Sequence, residues 1–391
     1  MKIVVVGGAG KMGCIAVQTL ASDRRVDEVL IADISEQNAQ IVMKTLQSSK
    51  VRYHHLQIEQ KEALVACLKG ADVCLNASVY YFNLPIMDAC LEAGVSYTDL
   101  GGLFHTTRKQ LTYHDRFAEK GLSAVLGLGS APGIPNVQAR YAAERLDTIE
   151  YIRIYDGIKP PPPDDLRFTY AVPTILDEMT LQPMVFREGE FVSEAPLSGF
   201  EDYAFTPPLG ILPVHYSLHS EVATLPISFR EKGVRECFFK INYWGMSKEA
   251  VEKIRVLDEF GFNRSEPLSL GDGVSVVPRQ VLIAMMTKFV PSIEEYLAAP
   301  KSAPPNWVKE IVTEVKGMKD GKEVRYRLGT LTVKGALPTG VVPAIAAIWL
   351  GQKRIPPGVY PPEAVLEPVE FLKELEVYDI VTQVSVTQFI E

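Results

Sequence analysis

The chain has 391 residues, 47% hydrophobic and 23% charged, with a net charge of −8. That is the length of two domains and the composition of a globular protein. The acidic balance argues against nucleic acid as the main partner, because phosphate recognition needs a basic surface. The longest apolar run near the C-terminus, 341–350, is too short to span a bilayer, so no membrane is expected.

The first strand signal is "KIVVVGG", read as a buried strand and not as a secretory leader. Helical spacing follows over Met12 to Ser22. Strand and helix then alternate: "EVLIAD", "EQNAQIVMKTLQ", "VRYHHLQI", "KEALVACLKG", "DVCLNAS", "LPIMDACLEAGV", "SYTDLGG", "LTYHDRFAEKG" and "SAVLGLG". Such alternation predicts a doubly wound parallel sheet covered on both faces, a Rossmann domain over residues 1–135. After "GSAPGIPN" the strands carry more aromatics, as in "TIEYIRIYDGI" and "RECFFKINYW". Residues 136–337 are therefore expected to form a second α+β domain with a largely antiparallel sheet. Within it, "KPPPPDDL" reads as a stiff surface loop, since its prolines donate no backbone hydrogen bonds. Residues 338–391 return to helices, and "PAIAAIWLGQK" is apolar nearly all round, so it should be buried against the first domain. Cys14, Cys67, Cys74, Cys90 and Cys237 form no C-x-x-C pair. They read as reduced core thiols of a cytoplasmic protein.

Gly8, Gly10 and Gly13 fit G-x-G-x-x-G between the first strand and the first helix, with Lys11 and Met12 inside the motif. Such a turn lets a pyrophosphate approach the backbone, and the helix N-terminus offers it free N–H groups. The pattern also predicts a carboxylate at the end of the next strand, and Asp33 stands there. An acid at that position accepts ribose hydroxyls and repels a 2′-phosphate, so NAD is expected and NADP is less favoured. The spacing Gly7, Gly10, Gly13 also fits the short-chain dehydrogenases and sugar epimerases, which need a Tyr and a Lys one helical turn apart. Here the Y-x-x-x-K is Tyr155 to Lys159, in a strand, where the two side chains share no helix face.

The segments "NASVYYFNLPIMDACLEAGVSYTDLGG", "GLGSAPGIPN", "LHSEVATLP", "SLGDGVSVVPRQVL" and "LPTGVVPAIAAIWLGQKRIPPGVYPPEAVLEPVEFLKELE" resemble, in this order, the saccharopine dehydrogenase family. Its shorter members, the L-lysine 6-dehydrogenases, are the nearest in kind. The resemblance implies hydride exchange at a carbon bearing nitrogen, a site in the cleft between the domains, and a homodimer. "LHSEVATLP" departs from the lysine dehydrogenases, which carry a Gly/Ser/Thr-rich version, and is more like the wider saccharopine reductase group.

Candidate residues follow from position. Asn76, Ala77 and Ser78 leave the fourth strand where cofactors of such folds bind. Tyr80, Phe82, Asn83 and Gly101 are expected along the cleft. Asp99 ends the fifth strand and is a candidate catalytic group. Asn136 caps a helix or touches substrate. His219 is the candidate proton carrier, with Glu221 beside it. His215 and His219 would need a helix and a third ligand to hold a metal, so none is expected. Arg167 and Arg230 are candidates for a substrate carboxylate.

The leading expectation is a small-molecule oxidoreductase that deaminates a diamino acid such as L-lysine at its ε-amine. One alternative is a condensing reductase that joins an aldehyde to an amine and reduces the imine, as saccharopine reductases and carboxynorspermidine synthases do. Another is a non-catalytic NAD-binding sensor.

Overall fold

A computed structural model describes residues 1–159, 168, 170–243, 248–298, 308–333 and 335–389. Six strands, β1 (Lys2–Val6), β2 (Glu28–Asp33), β3 (Val51–His55), β4 (Val73–Asn76), β5 (Ser96–Asp99) and β6 (Ser123–Val125), pair in parallel in the order β3-β2-β1-β4-β5-β6. Helices cover both faces at the centre of the sheet, where β1 (KIVVV) and β4 (VCLN) are buried along nearly their whole length, whereas the edge strand β3 (VRYHH) is largely exposed. The order reverses between β1 and β4, which opens a crevice at their C-terminal ends.

A seventh strand, Gly358–Tyr360, pairs in parallel with β6. The expectation of helices alone in the last segment is corrected here. Three residues next to prolines carry no strand signal of their own, and the free edge of β6 supplies the pairing.

The second sheet has nine strands among the described residues. Its central strand, β7 (Thr148–Ile158), runs parallel to Glu236–Ile241 and antiparallel to Lys309–Lys319. The sheet is thus mostly antiparallel with one parallel pair. Ile152, Ile154 and Phe239 face helices Ile134–Ala143, Val172–Thr180 and Glu221–Ser228. Tyr155, Phe238 and Val312 face the other way, beneath the hairpin strands Glu201–Ala204 and Ile211–Tyr216. The proline loop (residues 160–166) and Arg167 lie outside the described residues.

Helix Leu337–Gly351 is buried along almost its whole length and packs on helix α1 (Lys11–Ser22). Gly340 permits the approach, since a Cβ there would lie 2.5 Å from Ile15 Cβ. The chain then crosses back, and Val381–Gln388 becomes an edge strand of the second sheet. The C-terminal segment therefore adds one strand to each sheet.

Gly340→Ala should force the two helices apart and destabilise the chain by about 1–3 kcal/mol. Denaturant unfolding checks this, and an unchanged midpoint would show that the crossing is looser than the geometry states.

Candidate active site

The glycine turn occupies the crevice between β1 and β4. Gly7, rather than Gly8, takes the left-handed conformation, with φ of +76°. A Cβ on Gly7 would sit 2.9 Å from the Ala77 carbonyl carbon, and one on Gly13 would sit 2.1 Å from the Gly7 oxygen. Gly8 and Gly13 thus serve the packing of strand on helix, while Gly10 precedes the first turn of α1 without a side chain. The first N–H groups of α1 have no intrahelical acceptor. Asp33 takes the Ala9 N–H on Oδ2 at 3.0 Å and the Ser35 N–H on Oδ1 at 2.9 Å, which fixes its carboxylate beside the turn. These features fit a dinucleotide: room for a pyrophosphate at the turn and an acceptor at the ribose position.

From this turn a cleft of about 500 Å³ runs between the two domains. Gly10, Lys11, Met12 and Asp33 line one end, with Ala77, Ser78, Tyr80 and Gly101 along its side. At the far end stand Asp156 of β7, Glu178 of helix Val172–Thr180, Tyr170 ahead of that helix, Lys309 and His219. Lys309 Nζ lies 2.8 Å from Asp156 Oδ2, across the diagonal of two paired strands. Asp156 Oδ1 is buried and has no hydrogen-bond partner among the described residues. His219 Nδ1 donates to Glu221 Oε2, and the imidazole stacks on Phe239 with ring centroids 3.8 Å apart. Tyr170 Oη donates to Glu178 Oε2.

Burial dominates the acid–base behaviour of this group. It pushes the Glu178 carboxyl up to about 7, with Asp156 adding to the rise and His219, Tyr170 and Lys309 restraining it. Burial also raises the Asp156 carboxyl, against the pull of Lys309. At His219 burial acts in the other direction, yet Glu221, Glu178 and Asp156 together hold the imidazole above its usual range. A carboxyl near neutrality beside an imidazole held above its usual range is a pair that can give and take protons at working pH.

The remaining expected residues are placed elsewhere. Asp99 is 1% exposed and does not line the cleft. Its Oδ1 accepts Gly101 N–H at 3.0 Å and Gly127 N–H at 2.8 Å, while Oδ2 accepts Tyr97 Oη at 2.9 Å and Gln110 Nε2 at 2.6 Å. The expectation of a catalytic Asp99 is therefore corrected, because four donors occupy its carboxylate and tie two turns together. Asn76 and Asn83 belong to the same buried network, joined at 2.9 Å. Phe82 points to the opposite side of its short helical turn, into a separate groove near Leu64 and Pro85. Asn136 caps its own helix by accepting Gly133 N–H at 3.0 Å, and its amide donates to Glu363 at 2.8 Å. Glu221 is 0% exposed and stands behind His219, not in the cleft. Arg230 is exposed and pairs with Glu231. His215 sits in a strand and bonds the Leu197 carbonyl, so it shares no helix face with His219.

Sequence reasoning missed Asp156, Tyr170, Glu178 and Lys309. Asp156 had a usable signal, as the one carboxylate within the run "YIRIYDGI" of a strand.

Fold and site together define a dinucleotide-binding oxidoreductase. A family model described as the saccharopine dehydrogenase NADP binding domain matches residues 3–125. Through this domain the chain is similar to the saccharopine dehydrogenases, a group of NAD(P)-dependent oxidoreductases. It is 27% identical over 337 residues to a carboxyaminopropylagmatine dehydrogenase of Synechocystis sp., covering 83% of this chain and 80% of that protein. It is 26% identical over 341 residues to a carboxynorspermidine synthase of Vibrio alginolyticus, covering 81% and 78%. In fold it is similar to the saccharopine dehydrogenase (L-Glu forming) of Saccharomyces cerevisiae, with a TM-score of 0.69, 15% identity and 99% of each chain covered.

Two substitutions separate the turn from the supporting network. Gly7→Ala should weaken dinucleotide binding roughly tenfold or more by displacing the turn from β4, read by fluorescence titration. Asp99→Asn should lower stability by about 1–3 kcal/mol, because it opposes donors to donors, while dinucleotide affinity stays within a few-fold.

Proposed function

We propose that this chain is an NAD-dependent reductase that forms a secondary amine from an aldehyde and a primary amine through their imine. The observation that carries the reading is the buried set Asp156, Glu178, His219 and Lys309 at the end of a cleft that begins at the glycine turn. Similarity to carboxynorspermidine synthase favours this condensing chemistry over oxidation of free lysine, the single-substrate reading that the same cleft would also admit. Homodimeric assembly in the cytoplasm completes the proposal, on the family resemblance and on five buried cysteines that are free thiols.

When bound, the dinucleotide supplies the hydride. The chain's own residues would prepare the carbon that receives it. A primary amine has an ordinary pKa near 10.4, so it reaches the site protonated and must lose that proton to attack an aldehyde. Glu178, poised at about 7, takes it. His219, charged and held by Glu221, donates a proton to the carbinol oxygen as water leaves. Asp156, which lines the cleft, offsets the positive charge of the iminium. Lys309, paired with Asp156, pulls against the rise that burial causes in its carboxyl. NAD is preferred because Asp33 stands at the ribose position and "ISEQNAQ" after it contains no basic residue.

Following reduced-dinucleotide absorbance with a short amino-acid aldehyde and a panel of diamines tests the reading. Oxidation should require both substrates together. Turnover of a diamino acid alone with NAD would replace the reading with single-substrate oxidation, and no turnover in any combination would leave a non-catalytic binder.

The general-base role has a definite pH signature. Glu178 acts in its ionised form, so kcat/KM should fall as pH drops below about 7. Glu178→Gln should lose that inflection and lower kcat/KM by roughly 100-fold or more. An inflection that survives in the variant assigns the titration to another group.

A further inference from the structure

Residues 248–289 project from helix Val172–Thr180 as an arm. It comprises helix Lys248–Glu259, a two-stranded hairpin (Leu268–Gly271 and Val274–Val276) and helix Pro278–Thr287. The hairpin forms a sheet of its own, and both of its strands are almost wholly exposed. Helix Pro278–Thr287 has no buried residue. Phe260, Phe262, Leu268, Leu270, Met285 and Phe289 are exposed by 45–78%. An isolated two-stranded hairpin is marginal in water, and this one has only polar turns and open apolar sides.

The arm is not a detached appendage. Arg279 on its last helix pairs with Asp177 at 2.6 Å, bonds the Pro173 carbonyl at 3.1 Å and bonds Asn263 at 2.6 Å. Asp177 also accepts Tyr80 Oη at 2.9 Å and Tyr81 Oη. Thr287 and Val290, at the root of the arm, line the cleft. The arm thus forms part of the wall that brings Glu178, the neighbour of Asp177, to the site.

We propose that the arm is the dimer interface, covered by the same surface of a second copy, and that the docked copy braces the cleft wall. This rests on the homodimer reading above and names its surface. At roughly 150–200 Å² per large side chain, the six residues with Val256, Leu257, Val274 and Val281 leave about 800 Å² of apolar surface open. That is as much apolar surface as the ~800 Å² each partner contributes to a stable protein interface. A lipid surface is disfavoured, since acidic and basic residues alternate along the arm and the chain carries a net charge of −8. A cover that completes the wall of the active cleft must be present in equal amount whenever the chain works, which a second copy satisfies. Identical hairpins also meet naturally, edge to edge, across a two-fold axis.

Sedimentation velocity of the full chain, with a far-UV spectrum and melting curve for every variant, tests both readings. The unmodified chain should sediment as a dimer. Leu270→Asp with Met285→Asp should yield a folded monomer whose KM for the amine rises roughly tenfold or more, with dinucleotide affinity within a few-fold. Val384→Lys with Val386→Lys, on the exposed edge strand Val381–Gln388, should remain dimeric. A monomeric unmodified chain would overturn the homodimer itself. An assembly that survives the arm substitutions, or that only the edge-strand pair disrupts, keeps the assembly but overturns the surface. A monomer with unchanged KM overturns the bracing.

Discussion

Burying an ionised group is expensive unless it is paired, and the site is organised around one such pair. Asp156 and Lys309 lie on adjacent strands of the second sheet, both largely removed from water. Either charge left alone there would be uncompensated and costly. The pairing satisfies one oxygen of Asp156 and leaves the other buried and without a hydrogen-bond partner among the described residues. An unpaired carboxylate oxygen in a low-dielectric pocket is costly to leave without a donor. The protonation of Glu178 and His219 is set in that same field, since the nearby Asp156 carboxylate raises both groups.

That arrangement becomes a site only when the other domain supplies the glycine turn, and the approach depends on small residues. Gly7 nests against Ala77, Gly13 against Gly7, and Gly340 against Ile15. Gly101 belongs to the same set, since a Cβ there would meet Pro132 at 2.8 Å and Ser220 Oγ at 3.3 Å. Asp99 holds the Gly101 and Gly127 turns in place from behind. It shapes the cleft wall without entering it. Tyr80 and Tyr81, leaving β4, reach across to Asp177 and tie the dinucleotide domain to the helix that carries Glu178.

Much of the fold could be read from the chain. Short strand-like runs alternating with helical spacing marked β1 to β6, and "TIEYIRIYDGI" coincides with β7. The glycine turn and Asp33 were legible because the chemistry of a pyrophosphate demands local residues at fixed spacing. The far end of the cleft was not, because Asp156, Glu178, His219 and Lys309 come from four separate segments and meet only through the sheet register. Position at a strand end was a good guide for Ala77 and Ser78 and a misleading one for Asp99. The ends of β5 and β6 are roofed by neighbouring turns, whereas the crevice opens between β1 and β4. Strand Gly358–Tyr360 had no local signal and exists through the edge that β6 offers.

The late arrival of that strand bears on how the chain is made. β6 ends at Val125 and its edge partner begins at Gly358, so more than half of the sequence is synthesised between them. Helix Leu337–Gly351, which covers α1, emerges from the ribosome just as late. The nucleotide-binding domain therefore cannot close in the usual N-to-C order, with the first domain complete before the second appears. It must wait with one raw edge and one uncovered helix while the second sheet is translated. The final residues then seal both sheets in a single late event. A nascent chain released early would keep its glycine turn and lose the surface on which that turn is packed.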